Sequence, residues 1–202
     1  MNDLENGTKP REFTFDHAFW SHDDFTIDDT GYNTPNANNK YTDQKKVWNL
    51  LGTSMLEKAW KGLNNTIFAY GQTGAGKSYS IFGYPGNAGI IPMAATELFV
   101  KINAETDPAI RYEVSVQMVE IYMEKIQDLL VASNKRGNPL PIKQNKAGVY
   151  VQGATKTPVS NYADIQRVID KGEGNRTIGA TQMNQTSSRS HTVVTIYFQK
   201  IT

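Results

Sequence analysis

Eight consecutive residues have the types and spacing to hold a chain of phosphates. Gly71-Gln72-Thr73-Gly74-Ala75-Gly76-Lys77-Ser78 fits G-x-x-x-x-G-K-S/T at every defined position. Glycines let the backbone turn inward so that its N–H groups surround phosphate oxygens. Lys77 can then reach the β- and γ-phosphates, and the Ser78 hydroxyl can ligate Mg²⁺. A helix starting near Gly76 would aim its positive dipole end at the same anion. A second cluster, Asn184-Gln185-Thr186-Ser187-Ser188-Arg189-Ser190-His191, is dense in hydroxyls. Alone it reads as a solvated Ser-rich loop or a phosphorylation target. Beside a phosphate loop, such hydroxyls can hold a γ-phosphate, an attacking water and Mg²⁺, while an arginine latches the loop to another element. A loop that closes on a γ-phosphate and lets go after hydrolysis is the general design of nucleotide switches.

These groups need elements to carry them. The apolar run Ile67, Phe68, Ala69, Tyr70 reads as a buried strand delivering the phosphate loop, with a helix following. That helix is expected to be short, because residues 82–89 are rich in Gly, Pro and Asn, and Pro92 suits the first turn of a renewed helix over 92–102. Upstream, residues 13–19 alternate like a short strand carrying His17, to which we assign no chemistry. Residues 21–42 form a long polar loop in which Asp23, Asp24, Asp28 and Asp29 lack calcium-loop spacing. Thr42 is placed to cap a helix over 43–61, with Val47, Leu50, Leu51, Met55 and Ala59 on one face and Gly62 at its end. Trp48 and Trp60 read as packing residues.

Downstream, residues 111–122 alternate as a long strand with a slip near Met118–Val119, and 124–130 read as a short helix. Two short strands, 140–143 and 149–151, flank a turn. A helix capped by Ser160 or Asn161 runs to about Lys171, and residues 192–201 form a β-branched, aromatic strand. Strands alternating with helices predict an α/β fold, a three-layer α/β/α sandwich around a mixed, partly parallel sheet, with ligands beyond the carboxyl ends of its strands.

Composition narrows the class. At 202 residues the chain suits one domain or a large part of a bigger one, and the absence of cysteine excludes disulfides and cysteine–zinc sites. A formal charge of +1 argues against a global grip on nucleic acid. No apolar run approaches the ~20 residues that span a bilayer, and the polar start is not a secretory signal, so an intracellular protein fits.

With both clusters in view, the chain resembles the kinesin motor domain. Its phosphate loop, Phe68-Ala-Tyr-Gly-Gln-Thr-Gly-Ala-Gly-Lys-Ser78, and Asn184–His191, which matches the switch I motif N-x-x-S-S-R-S-H, carry the resemblance. Gly89-Ile-Ile-Pro92 and the run from Glu120 to Leu130 are further family-like signatures. Phe19-Trp20-Ser21-His22 and the Gly-Ala-Gly form of the loop lean toward kinesin-3. The resemblance covers residues 11–202, a partial motor domain behind a polar tail of residues 1–10.

The resemblance implies an ATPase driving movement along microtubules, hence a protein of the cytoplasm and cytoskeleton. ATP would be held by Gly71, Gln72, Thr73, Gly74, Ala75, Gly76, Lys77 and Ser78, with Tyr79 against the adenine. Mg²⁺ would be held by Ser78 and, in the closed state, Ser188. Asn184 and Ser187 would position nucleotide and water, and Arg189 would pair with a switch II glutamate. Lys143, Lys146 and Lys156 fall in the region that contacts tubulin, although as residues alone they read as an ordinary solvated basic face. No nucleic-acid partner and no membrane insertion are expected. Two parts of the family pattern are not among these residues: the R-x-R-P motif of the first strand and the D-L-A-G-S-E switch II sequence. The expectation is therefore an incomplete fold with long unpaired strand edges and impaired or absent turnover. The alternative is a truncated relative that binds nucleotide or tubulin without turnover.

Overall fold

The computed structural model describes residues 12–37, 40–146, 148–182 and 189–202, without the side chains of 178–182. Its centre is β5 (Arg111–Tyr122), a twelve-residue strand paired along both edges. On one edge β10 (His191–Ile201) runs antiparallel, from His191 opposite Ile121 to Ile201 opposite Arg111. On the other edge lie β6 (Lys125–Asp128) and β9 (Thr157–Val159), both antiparallel. Residues opposite one another in an antiparallel pair share a face. Val114, Val116 and Met118 therefore line up with Phe198, Ile196 and Val194, and this face forms the floor of the hydrophobic core.

The helices supply the other side of that core. Leu98 and Phe99 of α4 (Ile90–Asn103) and Ile165, Val168 and Ile169 of α5 (Tyr162–Gln182) pack with the β5 side chains. α5 is started by reciprocal caps: Asn161 Oδ1 accepts from the Asp164 N–H at 2.9 Å, and Asp164 Oδ2 accepts from the Ser160 N–H at 2.8 Å. The helix does not stop at Lys171. It runs through Gly172, where a Cβ would stand 2.2 Å from Met118 Sδ. That glycine is a close approach of helix to sheet, with a cost in helix propensity offset by packing.

Several other expectations are corrected. The β5–β10 register is one-to-one through Met118 and Val119, so there is no slip. Both faces are simply buried there, Gln117 and Val119 on one and Met118 on the other. Residues 124–130 are not a helix: Met123 and Glu124, at φ 48° and 61°, form the tight turn of a hairpin leading into β6. The predicted strand at 13–19 carries no strand pairing among the described residues up to a single bridge between Trp20 and Tyr41, and Phe13 and Phe15 face solvent.

Helical residues 44–60 come as α1 (Gln44–Val47), a π-helical turn (Trp48–Gly52) and α2 (Thr53–Trp60). The extra residue of a π turn rotates the apolar stripe. Trp48 and Leu56 are buried in consequence, while Leu50 and Leu51 face outward. Asp43 rather than Thr42 caps α1, its carboxylate accepting from the Lys46 N–H at 2.7 Å.

The described residues of the polar stretch 21–42 form a folded element. β1 (Phe25–Ile27) and β2 (Asn33–Pro35) form a hairpin around a turn organised by the Asp28 carboxylate, which accepts from the N–H groups of Thr30 and Tyr32 and the Thr30 hydroxyl. The sandwich itself is not assembled among the described residues. The four-stranded sheet is antiparallel, and the other three sheets are two-stranded hairpins.

Candidate nucleotide site

The loop between Tyr70 and α3 (Lys77–Ile81) has the backbone that the sequence pattern requires. Gly74 and Gly76 sit at φ +83° and +87°, where a side chain is strained, and nothing lies within 4 Å of where a Cβ would stand at either. The glycines are therefore needed for conformation, and they leave open space above the loop. Lys77 Nζ curls back over it, donating to the carbonyls of Gly71 at 2.8 Å and Gln72 at 2.7 Å. Ser78 is exposed beside it. An inward-turned loop with a cation tethered above it fits a polyphosphate. Among the described residues no group of three or more His, Asp or Glu is placed to hold a metal ion.

α3 is short, as expected, and is interrupted by a hairpin of β3 (Gly83–Tyr84) and β4 (Asn87–Ala88) before α4 begins. The strand expected before the loop is absent. Residues 63–70 carry no strand pairing, and Phe68 and Tyr70 are 81% and 94% exposed. An extended apolar segment becomes a strand only when another lies beside it, and among the described residues none does.

Tyr79 is half-buried in an aromatic cluster. Its ring lies 5.7 Å from that of Tyr84, and its hydroxyl is 3.2 Å from the hydroxyl of Tyr41. Burial, and then the bond to Tyr41, hold the Tyr79 hydroxyl well above the ordinary tyrosine range. Gln44 Nε2 donates to the Tyr79 carbonyl at 2.5 Å. Sequence reasoning missed Tyr41 and Gln44. They stand 38 and 35 positions from Tyr79, Tyr41 at the end of a stretch without period and Gln44 at the start of the expected helix, and neither carries a local signal for a contact at that range.

The other expected site residues are only partly brought in. Asn184, Ser187 and Ser188 lie outside the described residues. Arg189 is exposed in the turn before β10. Behind it, Arg176 of α5 joins three elements, its guanidinium 3.4 Å from Glu120 of β5, 3.8 Å from Glu173 and 3.5 Å from the Ser190 hydroxyl. Lys143 and Lys146 are exposed on the hairpin of β7 (Ile142–Asn145) and β8 (Gly148–Val151). Lys156 is not on that hairpin, and its ammonium stands 3.7 Å from the ring centre of Tyr197. Among the described residues no helix is long and apolar enough to cross a membrane.

Comparison with known proteins decides the family. The kinesin motor domain family matches residues 1–202. The chain belongs to the kinesin family. Its relatives include the kinesin-3 proteins that the phosphate loop suggested. The human kinesin-like protein KIF28P is 40% identical over 200 residues, covering 98% of this chain and 21% of that protein. Kinesin-like protein KIF1A of Rattus norvegicus is 42% identical, covering 98% of this chain and 11% of its own length. Among solved structures, KIF14 residues 391–755, with ADP and in complex with a microtubule, superposes with a TM-score of 0.81 at 34% identity. That match covers 98% of this chain and 52% of the KIF14 chain. A fast kinesin matches with a TM-score of 0.73 at 35% identity, over 83% of this chain and 47% of its own. The kinesin motor fold is thus shared, and this chain spans about half of the motor structures it matches and a smaller part of the curated relatives.

Proposed function

We propose that this chain supplies the nucleotide-binding part of a microtubule-based motor in which ATP hydrolysis is coupled to movement along microtubules. The observation that carries the reading is the phosphate loop. Left-handed glycines and a Lys77 tethered over the loop form a turn suited to a triphosphate, in a member of the kinesin family. Gly71 to Ser78 would hold the phosphates, Tyr79 would meet the base, and Ser78 and Ser188 would complete the magnesium shell. Bound magnesium and ATP supply the charge-neutralised phosphoryl group. The chain's own part is to orient that group, through Lys77 and the loop N–H groups, and to place a water through Asn184 and Ser187. Arg189 would latch the switch to a glutamate.

In the same reading, residues 66–70 become a strand of the three-layer α/β/α sandwich once that sheet is filled. Lys143 and Lys146, on one exposed hairpin, would face the acidic surface of tubulin, with Lys156 a weaker participant because Tyr197 engages it. A protein of this kind works on microtubules in the cytoplasm.

The test is phosphate release by a protein extended through the family's switch II sequence. Microtubules should accelerate it, and Lys77→Ala should abolish it. Absence of stimulation in the extended protein would overturn the motor reading. For the 202 residues alone, the exposed Phe68 and Tyr70 favour the second reading, binding without turnover. That reading expects a fluorescent ATP analogue to bind with no phosphate release above background, and sustained turnover would exclude it.

A further inference from the structure

The stretch between Trp20 and Gln44 holds one residue of the proposed nucleotide pocket at two points. Tyr41 is 2% exposed, an unusual depth for a tyrosine at the end of a polar loop. Its ring packs at 4.7 Å against Phe25 of β1, and its hydroxyl accepts from Asn33 Nδ2 of β2 at 3.1 Å. The same hydroxyl is 3.2 Å from the Tyr79 hydroxyl. Asn33 is itself fixed from outside, its N–H donating to Asn87 Oδ1 at 3.0 Å, while Asn87 Nδ2 donates to the Gly31 carbonyl at 2.8 Å. The β1–β2 hairpin is thereby bound to the β3–β4 hairpin that interrupts the helix after the phosphate loop. Gln44, the first residue of α1, donates to the Tyr79 carbonyl. Both the backbone and the phenol tip of Tyr79 are thus held by residues that the phosphate loop does not contain.

We infer that Tyr41 is a positioning residue for the nucleobase: through its hydroxyl it fixes the Tyr79 ring, so that the folded loop 21–42 sets how well the base is bound. The inference rests on the nucleotide-binding reading above and adds a specific division of labour. Phosphates are held by Gly71–Ser78, whose geometry is independent of Tyr41. The base is held by a ring whose orientation depends on a chain of hydrogen bonds, Asn33 to Tyr41 to Tyr79. A phenol held at its tip loses little further rotamer freedom when a base stacks on it, which is how preorganisation raises affinity. Removing the hydroxyl of Tyr41 leaves the packing with Phe25 and frees Tyr79 to turn.

The experiment titrates the purified 202-residue chain and its variants with ATP and with inorganic tripolyphosphate, both with Mg²⁺, by calorimetry. Tyr41→Phe should weaken ATP by about three- to tenfold, the net size of one hydrogen bond, and leave tripolyphosphate unchanged. Tyr79→Phe, which removes the same bond from its half-exposed side, should match it. The double variant should bind ATP no more weakly than Tyr79→Phe alone, since one bond is lost in each case. Unchanged ATP affinity in both single variants overturns the inference. So does an equal loss for ATP and tripolyphosphate, which would make Tyr41 a support of the fold only. If the unsubstituted chain binds tripolyphosphate as tightly as ATP, the inference falls while the phosphate-binding reading stands. If it binds neither ligand, the nucleotide-binding reading falls and takes the inference with it.

Discussion

β5 and the segment before the phosphate loop both read as strands in the sequence, and they end in opposite circumstances. β5 has strands along both edges and two helices over one face, and its Val116 and Met118 are fully buried. Residues 67–70, read as a strand too, have no strand beside them among the described residues, and Phe68 and Tyr70 stand in solvent. The loop that follows is nevertheless well formed. Its glycines take left-handed backbone without help from neighbours, and Lys77 closes on carbonyls five and six residues away. A phosphate loop is thus specified by local geometry, whereas a strand is specified by what pairs with it. The molecule contains one region held by long-range burial and one held by short-range hydrogen bonds.

The strongest way to break that contrast is to truncate one large apolar side chain in each region. Ile165 is fully buried between α5 and the sheet, so Ile165→Ala should cost about 2–5 kcal/mol of unfolding free energy, transfer and cavity terms together. Phe68→Ala removes a larger side chain from an exposed site and should stay within about 0.5 kcal/mol. Urea unfolding followed by circular dichroism compares the two directly. A Phe68→Ala cost approaching that of Ile165→Ala would show that residues 66–70 are packed after all.

A smaller effect in the other direction is expected at the turn between β5 and β6. Met123 and Glu124 both hold left-handed backbone, a conformation natural to Asn and Gly but costly for side chains of this size. The pairing of Val119 to Tyr122 with Lys125 to Asp128 imposes it, so here tertiary structure overrides local preference. Met123→Asn combined with Glu124→Gly should raise stability by about 1 kcal/mol in the same unfolding assay, with no loss of sheet signal. No gain would mean that the turn is not strained as its angles indicate.

The same conflict explains what could be read from the sequence. Residues 111–122 and 192–201 were legible as strands because alternation and β-branched residues are local signals. The phosphate loop was legible because its constraint is local too. The 124–130 stretch read as a helix because Met123 and Glu124 do not announce a turn. The helix read as ending near Lys171 because glycine and polar residues give no hint that Gly172 lies under Met118 or that Arg176 pairs with Glu120. The sandwich read from alternating strands and helices depends on pairings that 66–70 and 13–19 do not make here. Tyr41 had no legible role at all, since its significance comes from a residue 38 positions away.

The smallest effect probes a second turn held by short-range bonds, that of the β1–β2 hairpin. Asp28 accepts from the Thr30 hydroxyl and N–H and from the Tyr32 N–H, and the Thr30 bonds foremost hold its carboxyl below the usual aspartate range. A group with a depressed folded-state pKa stabilises above its unfolded value, and that contribution is lost as pH falls through the folded one. The hairpin should therefore loosen at acid pH while the sheet core, which depends on apolar burial, does not respond through this residue. Asp28→Asn keeps the shape and abolishes the titration. Its thermal midpoint should lie below that of the unsubstituted chain at neutral pH, and the two should converge as pH drops below the ordinary aspartate range. A gap that persists unchanged into acid would place the role of Asp28 in shape rather than charge. The turn would then be held by hydrogen bonds that an uncharged side chain of the same shape also makes.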